Sequence, residues 1–368
     1  DYRIMLEQEK DIDAVTISTP DHVHGPAAKF CMERGKHVYV QKPMTHNIRE
    51  ARMLTQMARD YKVVTQMGNQ GASGNGVRQL VDWYNAGLIG DVHTVYCYTD
   101  RPVWPQGIQW SKNTLPVPKE LNWDLWLGTA PYKDYVDNLV PFNWRGWWDF
   151  GTGSLGDMGC HIIDPAFMAL DLRYPISVEG NVSTVFETFG KKTTGKFESY
   201  PRSSIVRFKF PARGELPPVT LTWWDGGLMP QRPDELEDDM PFGDANGGCL
   251  FIGDKGKLVC GCYGLNPRIL DADLREASKK VAKTLPRIPG NSSGHEKDWI
   301  RACKGGVAAS SNFDYSGPLS EMVLMGNLAS RYPDRKLLWD GAKMIVTNDK
   351  EANAYVGREY RKGFELGT

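Results

Sequence analysis

Between Asp13 and Gly90 the chain switches repeatedly between two hydrophobic periods. Asp13-Ala-Val-Thr-Ile-Ser-Thr-Pro20 is a short apolar run, the pattern of a buried strand. Asp21-His-Val-His24 then leads into a helical pattern with Ala27, Ala28, Phe30, Cys31 and Met32. Gly35 sits where a C-cap glycine stops a helix. A second apolar run, His37-Val-Tyr-Val40, ends in the polar tip Gln41-Lys42-Pro43. These segments predict one β-α-β unit with parallel strands and a right-handed crossover. The next unit follows at once. A helix is expected over Ile48–Tyr61, with Ala51, Leu54 and Ala58 on one face, then a strand over Lys62–Gly68 and a helix over Ser73–Ala86.

After Gly90 the pattern changes. Asp91–Tyr98 alternates as a strand does, and a Pro- and Trp-rich excursion runs from Arg101 to Trp148. It holds Trp104, Trp110, Trp123, Trp126, Trp144, Trp147 and Trp148. Loops this long inside a compact chain are usually functional. Indole faces stack on the C–H faces of sugar rings, so tryptophans at a cleft would suit a carbohydrate. The alternative is that they pin an irregular loop to the core, and most are expected to do so. A helix over Leu155–Leu172 comes next. Strand-like runs follow at Ser177–Glu187, Ser203–Pro211, Pro218–Trp224, Gly248–Ile252 and Lys257–Gly261, with a hairpin turn at Gly253–Gly256. Helices return at Glu296–Lys304 and Leu319–Arg331. The expected fold class is therefore α/β plus α+β: a partial Rossmann-type parallel sheet, then a larger domain with a mostly antiparallel open sheet. Residues 1–90 form the first part, 91–330 the second, and 331–368 an extension packing back on the core.

Composition narrows the function classes. A chain of 368 residues with 41% hydrophobic content can bury two cores. A net charge of −1 provides no footprint for nucleic acid or an acidic membrane, and no apolar run reaches the length of a spanning helix. Of seven cysteines, Cys31, Cys97 and Cys160 read as buried thiols. Cys260 and Cys262 are two apart on a predicted strand. No Cys or His cluster of ligand spacing lies near them, so no metal is expected.

The candidate chemistry sits at two places. In open α/β sheets ligands bind beyond the carboxyl ends of the strands, where Lys42 falls. The bland alternative is a solvated loop lysine. Asp157 and His161 are spaced i, i+4 on the predicted helix, with Asp164 near the same face, after the glycine-rich approach Phe150-Gly-Thr-Gly-Ser-Leu-Gly156. Alone, that pair could simply staple a helix.

Thr19-Pro20-Asp21-His22-Val23-His24, Gln41-Lys42-Pro43 and Gly156-Asp157-Met158-Gly159-Cys160-His161-Ile162-Ile163-Asp164 resemble three successive signatures of one family. It is the glucose–fructose oxidoreductase / inositol dehydrogenase / MocA-type (Gfo/Idh/MocA) family of NAD(P)-dependent oxidoreductases. Asn122-Trp123-Asp124-Leu125-Trp126-Leu127-Gly128 and Phe142-Asn143-Trp144-Arg145-Gly146-Trp147-Trp148 are similar to a long-form, often exported branch.

The resemblance implies NAD or NADP as cofactor. It places Thr19, Pro20, His24, Gln41, Lys42 and Pro43 at the cofactor and Lys42, Asp157 and His161 at the reacting centre. Arg145, Trp147 and His295 are candidate substrate contacts beside Asp157 and His161. Alcohol oxidation needs a base for the hydroxyl proton, a role that suits a neutral imidazole at His161, while Lys42 would donate to the reacting oxygen.

Two departures stand out. Gln41 replaces the family's usual glutamate, and no Gly-x-Gly-x-x-Gly turn precedes Asp1, so the chain reads as starting inside its dinucleotide domain. The expected partners are a small carbohydrate and further copies of the chain, docked through the second-domain sheet. Three functions stay open: an oxidoreductase of a sugar, cyclitol or sugar derivative; an NAD-recycling glycoside hydrolase working by oxidation, elimination, hydration and reduction; and a non-catalytic carbohydrate-binding descendant.

Overall fold

A computed structural model describes residues 1–188, 190–193 and 198–366. After a short helix α1 (Tyr2–Gln8), strands β1 (Ala14–Ile17), β2 (His37–Val40) and β3 (Thr65–Met67) form a parallel sheet in that order. Helices α2 (Asp21–Met32) and α3 (Ile48–Asp60) are the crossovers, and α4 (Asn75–Asn85) follows β3. Ile17 pairs with Val40 and Val40 with Met67, so the carboxyl ends of all three strands are level. The third strand is shorter than the apolar run that predicted it. Lys62 adopts a left-handed φ of 52°, and pairing with β2 starts only at Thr65. Asn47 caps α3 by accepting from the Glu50 N–H.

The second half is built on β4 (Val92–Tyr98). The excursion after it contains α5 (Trp123–Leu127) and leads to α6 (Gly153–Ile162) and α7 (Asp164–Ala169). Here the structure corrects the sequence reading. The single helix expected over Leu155–Leu172 is two, divided at Ile163. Pro165 has no N–H to continue the ladder of the first helix, but it fits the first turn of a new one, where that N–H would have no partner within the helix. Asp164 therefore starts a new helix and does not extend the face that carries Asp157 and His161.

The strands β5 (Ser177–Val182), β6 (Val185–Thr188), β7 (Lys191–Thr193), β8 (Ser204–Phe210), β9 (Val219–Trp224), β10 (Gly248–Gly253), β11 (Lys257–Gly261) and β12 (Arg268–Ile269) come next. They are followed by α8 (Ala272–Ser278), α9 (His295–Cys303), α10 (Phe313–Arg331), β13 (Lys336–Asp340) and β14 (Ile345–Val346). The nine-stranded sheet has the order β12-β11-β10-β4-β9-β8-β5-β13-β14, with β6 and β7 as a separate hairpin. Its pairs are antiparallel except β4 with β9. The run expected as one strand to Glu187 leaves the sheet after Val182. Cys262 lies past the end of β11, in a short turn, so it does not share a strand face with Cys260.

In β8, Ser204, Val206, Phe208 and Phe210 are buried while Ile205, Arg207 and Lys209 are not, the period-two signature of a half-covered sheet. The cover is α10. It is buried without a break from Ser316 to Ser330, and it packs on α3 on one side and on α6, β5 and β8 on the other. The last segment bridges α3 and the excursion. Tyr360 Oη donates to Glu50 at 2.8 Å, and Arg361 bonds Gly128 O and Asp124. Among the described residues no helix is long and apolar enough to cross a membrane.

Candidate active site

The end of β2 delivers Lys42. Val38 and Val40 are fully buried, and Gln41 N–H bonds Ile17 O at 2.9 Å, which fixes the strand tip. A cis peptide joins Lys42 to Pro43, and Pro43 and Met44 turn back into the core. Lys42 Nζ donates to Asp157 twice, to the backbone carbonyl at 2.6 Å and to Oδ1 at 2.8 Å. Arg145 reaches the same Oδ1 with Nε at 3.4 Å. Its guanidinium lies over the rings of Phe142 and Trp144, with centroids at 4.2 and 4.3 Å. Two cations thus share one carboxylate.

His161 follows one turn later on α6 and is buried. Among the described residues neither ring nitrogen has a hydrogen-bond partner, and Nδ1 is wholly enclosed. The ring meets Tyr263 edge to face, with centroids 4.6 Å apart. Burial drives the imidazole pKa well below its ordinary value, and the nearby Lys42 and His295 push the same way. At neutral pH the ring is uncharged. A buried polar group without a partner is costly.

The other predicted positions take different places. Thr19 is exposed at the tip of β1, and Pro20 opens α2. His24 is buried between the two loop tips, with Nδ1 2.8 Å from Pro43 O and Nε2 2.8 Å from Thr19 O. Two carbonyls would favour the charged ring. Burial outweighs them and pushes the pKa down to about 4, so the neutral ring donates to one of the two. His24 ties the ends of β1 and β2 together. His295 is equally occupied, with Nδ1 2.6 Å from Ser73 Oγ and Nε2 2.8 Å from Met67 O. Trp147 is buried against Trp110, at 4.7 Å between centroids, in the core of the excursion. Asp164 accepts from Tyr315 Oη at 2.5 Å, and burial raises its pKa to about 7. Lys42, Asp157, His161 and Arg145 are therefore brought together, while Trp147, His295 and Asp164 are held in packing of their own.

Two residues at the cleft carry no distinctive sequence signal. Asp21 is buried at the start of α2 and accepts from Thr152 Oγ1 at 2.6 Å. Burial pushes its carboxyl up to about 7; the Thr152 bond, Lys42 and Arg145 pull the other way. Its one visible mark is its place just after Thr19-Pro20. Tyr263 lies in the turn after β11, and no spacing connects it to His161.

A groove of about 290 Å³ opens beside the β1 tip, lined by Thr19, Pro20, Val23, Leu125, Trp126 and Thr129 among others. Its lining takes in the β1 tip but not Lys42, Asp157 or His161, which lie at the end of β2 and on α6. Of the residues expected at the cofactor, Thr19 and Pro20 line this groove, while Gln41, Lys42 and Pro43 lie at the end of β2. Among the described residues no group of three or more His, Cys, Asp or Glu side chains could hold a metal ion.

Comparison with known proteins bears on these observations. Residues 1–69 match the model of an oxidoreductase family's NAD-binding Rossmann fold, and residues 81–188 match that of an oxidoreductase family's C-terminal alpha/beta domain. An uncharacterized oxidoreductase of Escherichia coli K12, YdgJ, is 31% identical over 290 residues, covering 78% of this chain and 69% of that protein. Levoglucosan dehydrogenase of Pseudarthrobacter phenanthrenivorans is 24% identical over 190 residues, or 51% of this chain and 39% of the enzyme. A 2,7-anhydro-N-acetylneuraminate hydratase of Mediterraneibacter gnavus is 26% identical over 110 residues, and the match spans 29% of its length. Among solved structures, the WlbA dehydrogenase of Bordetella pertussis in complex with NADH and UDP-GlcNAcA superposes with a TM-score of 0.58 at 16% identity. That match covers 92% of this chain and 83% of the other. At this identity the likeness speaks for the fold.

Proposed function

Because the chain belongs to the Gfo/Idh/MocA family of oxidoreductases, we propose that it is an NAD(P)-dependent oxidoreductase acting on a hydroxyl of a sugar, cyclitol or sugar derivative. The observation that carries this reading is the neutral, unpartnered His161 one helical turn from the carboxylate bound by Lys42. When bound, the nicotinamide supplies the hydride acceptor. The chain's own residues would do the rest. His161 keeps its hydrogen on the enclosed Nδ1 and takes the hydroxyl proton at Nε2. Lys42 redirects one of its N–H groups from Asp157 to the reacting oxygen and stabilises the charge that develops there. Asp157, already held by Lys42 and Arg145, accepts from a neighbouring substrate hydroxyl. The relative named levoglucosan dehydrogenase supports the substrate class.

Native mass spectrometry for retained dinucleotide, followed by NAD(P)H absorbance with a panel of sugars, tests the reading. We expect turnover in the unmodified chain and its loss in Lys42→Ala and His161→Ala. Undiminished turnover in both variants would overturn it. The relative named as a hydratase favours a second reading, in which oxidation, elimination, water addition and reduction return the cofactor to its starting state. Product formation without net NADH would select that one. Association of copies through the nine-stranded sheet belongs to the same proposal. A monomer in size-exclusion chromatography would remove it.

A further inference from the structure

The turn Cys262–Gly264 is held in place from outside itself. Tyr263 sits in the left-handed region, at φ 62° and ψ 15°, where a non-glycine side chain is strained. Two glycines of the first half allow the turn to come this close. A Cβ on Gly71 would lie 3.0 Å from Tyr263 Cα, and one on Gly76 would lie 2.2 Å from Gly264 O. The turn therefore presses backbone to backbone against the segment that follows β3, and the strain at Tyr263 persists because both sides fix it.

The strained backbone aims the Tyr263 ring at His161, 4.6 Å away and at 64°. The Tyr263 hydroxyl has no hydrogen-bond partner among the described residues, and the side chain is only half-buried. The phenol lies within reach of the charges of Asp157 and Arg101. Desolvation holds its pKa up to about 12, so it stays a donor across the working range of pH.

We propose that Tyr263 is a positioning residue for His161 and a determinant of specificity: its ring closes one side of the imidazole to water, and its hydroxyl is presented to a substrate oxygen beside Asp157. The second half rests on the oxidoreductase reading above; the first does not. His161 is faced by Lys42 from the β2 tip, by His295 from α9 and by Tyr263 from the turn after β11. Asp157 and Asp164 lie before and after it in the chain. Of these, Tyr263 makes the ring contact, so it is the group whose removal opens the imidazole.

Histidine-resolved NMR titration of the full chain, with His161 assigned through His161→Ala, reads the first half. Tyr263→Phe should titrate like the unmodified chain. Tyr263→Ala, or Tyr263→Leu should the alanine variant fail to fold, should move the His161 midpoint up toward the ordinary 6.5 as water reaches the ring. An unchanged midpoint in the folded Ala or Leu variant overturns that half. Steady-state kinetics read the other half. Tyr263→Phe should raise KM for the sugar roughly three- to tenfold, the loss of one neutral hydrogen bond, with kcat and NADH affinity kept. An unchanged KM overturns it. If the unmodified chain oxidises no sugar, the functional reading fails and the hydroxyl role falls with it, while the titration still decides the role of the ring.

Discussion

The aromatic excursion and the α6 cleft meet at Arg145, yet they treat their polar groups in opposite ways. In the excursion three of the seven indole nitrogens are matched within the segment itself. Trp104 donates to Gln106, Trp123 to Lys133 O and Trp144 to Pro141 O, each at 2.8–2.9 Å. Trp123 stacks on Trp126, and Trp147 fills the space between Trp110 and its neighbours. In the cleft, His161 is buried with no partner and Tyr263 is strained. A region whose rings pack on one another and whose polar groups are paired locally or with the neighbouring 198–201 segment is a scaffold. A region that leaves a buried imidazole unmatched keeps that group open to a ligand.

That contrast can be broken by substitution. His161→Ala should lose about 10²- to 10⁴-fold in kcat while the chain still folds, as measured by turnover alongside circular dichroism. Trp147→Ala should do the reverse. We expect about 3–5 kcal/mol less stability in urea, with kcat per folded molecule retained. A Trp147 variant that stays stable but binds sugar poorly would move the excursion from scaffold to site.

The pH profile sharpens the same comparison. A base whose pKa is depressed remains unprotonated as pH falls through 6.5, so the acid limb of kcat/KM should lie below that value. A limb at 6.5 or higher would mean that His161 is solvated or is not the base. The smallest effect belongs to the terminal clasp. Arg361→Ala removes exposed bonds to Asp124 and Gly128 and should cost about 1 kcal/mol in thermal or urea melts, with kinetics unchanged.

Much of this molecule was legible in its sequence because the signals were local. The β-α-β units showed themselves through the change of hydrophobic period, and Lys42 through the polar tip and proline after a buried strand. Helical spacing put Asp157 and His161 on one face, and the family resemblance singled them out as candidates. Other features were illegible for physical reasons. Pro165 splits the helix, which a count of apolar positions does not register. Trp147 and His295 have the residue types of ligand contacts, but their neighbours, Trp110, Ser73 and Met67, come from distant parts of the chain. Tyr263 depends on the absence of side chains at Gly71 and Gly76, and an absence across nearly two hundred residues leaves no periodicity to read.

The parallel pairing of β4 with β9 bears on how the chain comes together. Thr94 pairs with Thr220 on one side of β4, and Val95 with Phe251 on the other. This interior strand of the large sheet is thus made early in synthesis and has to wait for both of its neighbours. Until they arrive, two open hydrogen-bonding edges flank Val95 and Cys97, both bound for the core. Such long-range closure is slow, so the interval before β9 and β10 dock is when the chain is most exposed to pairing with another copy of itself.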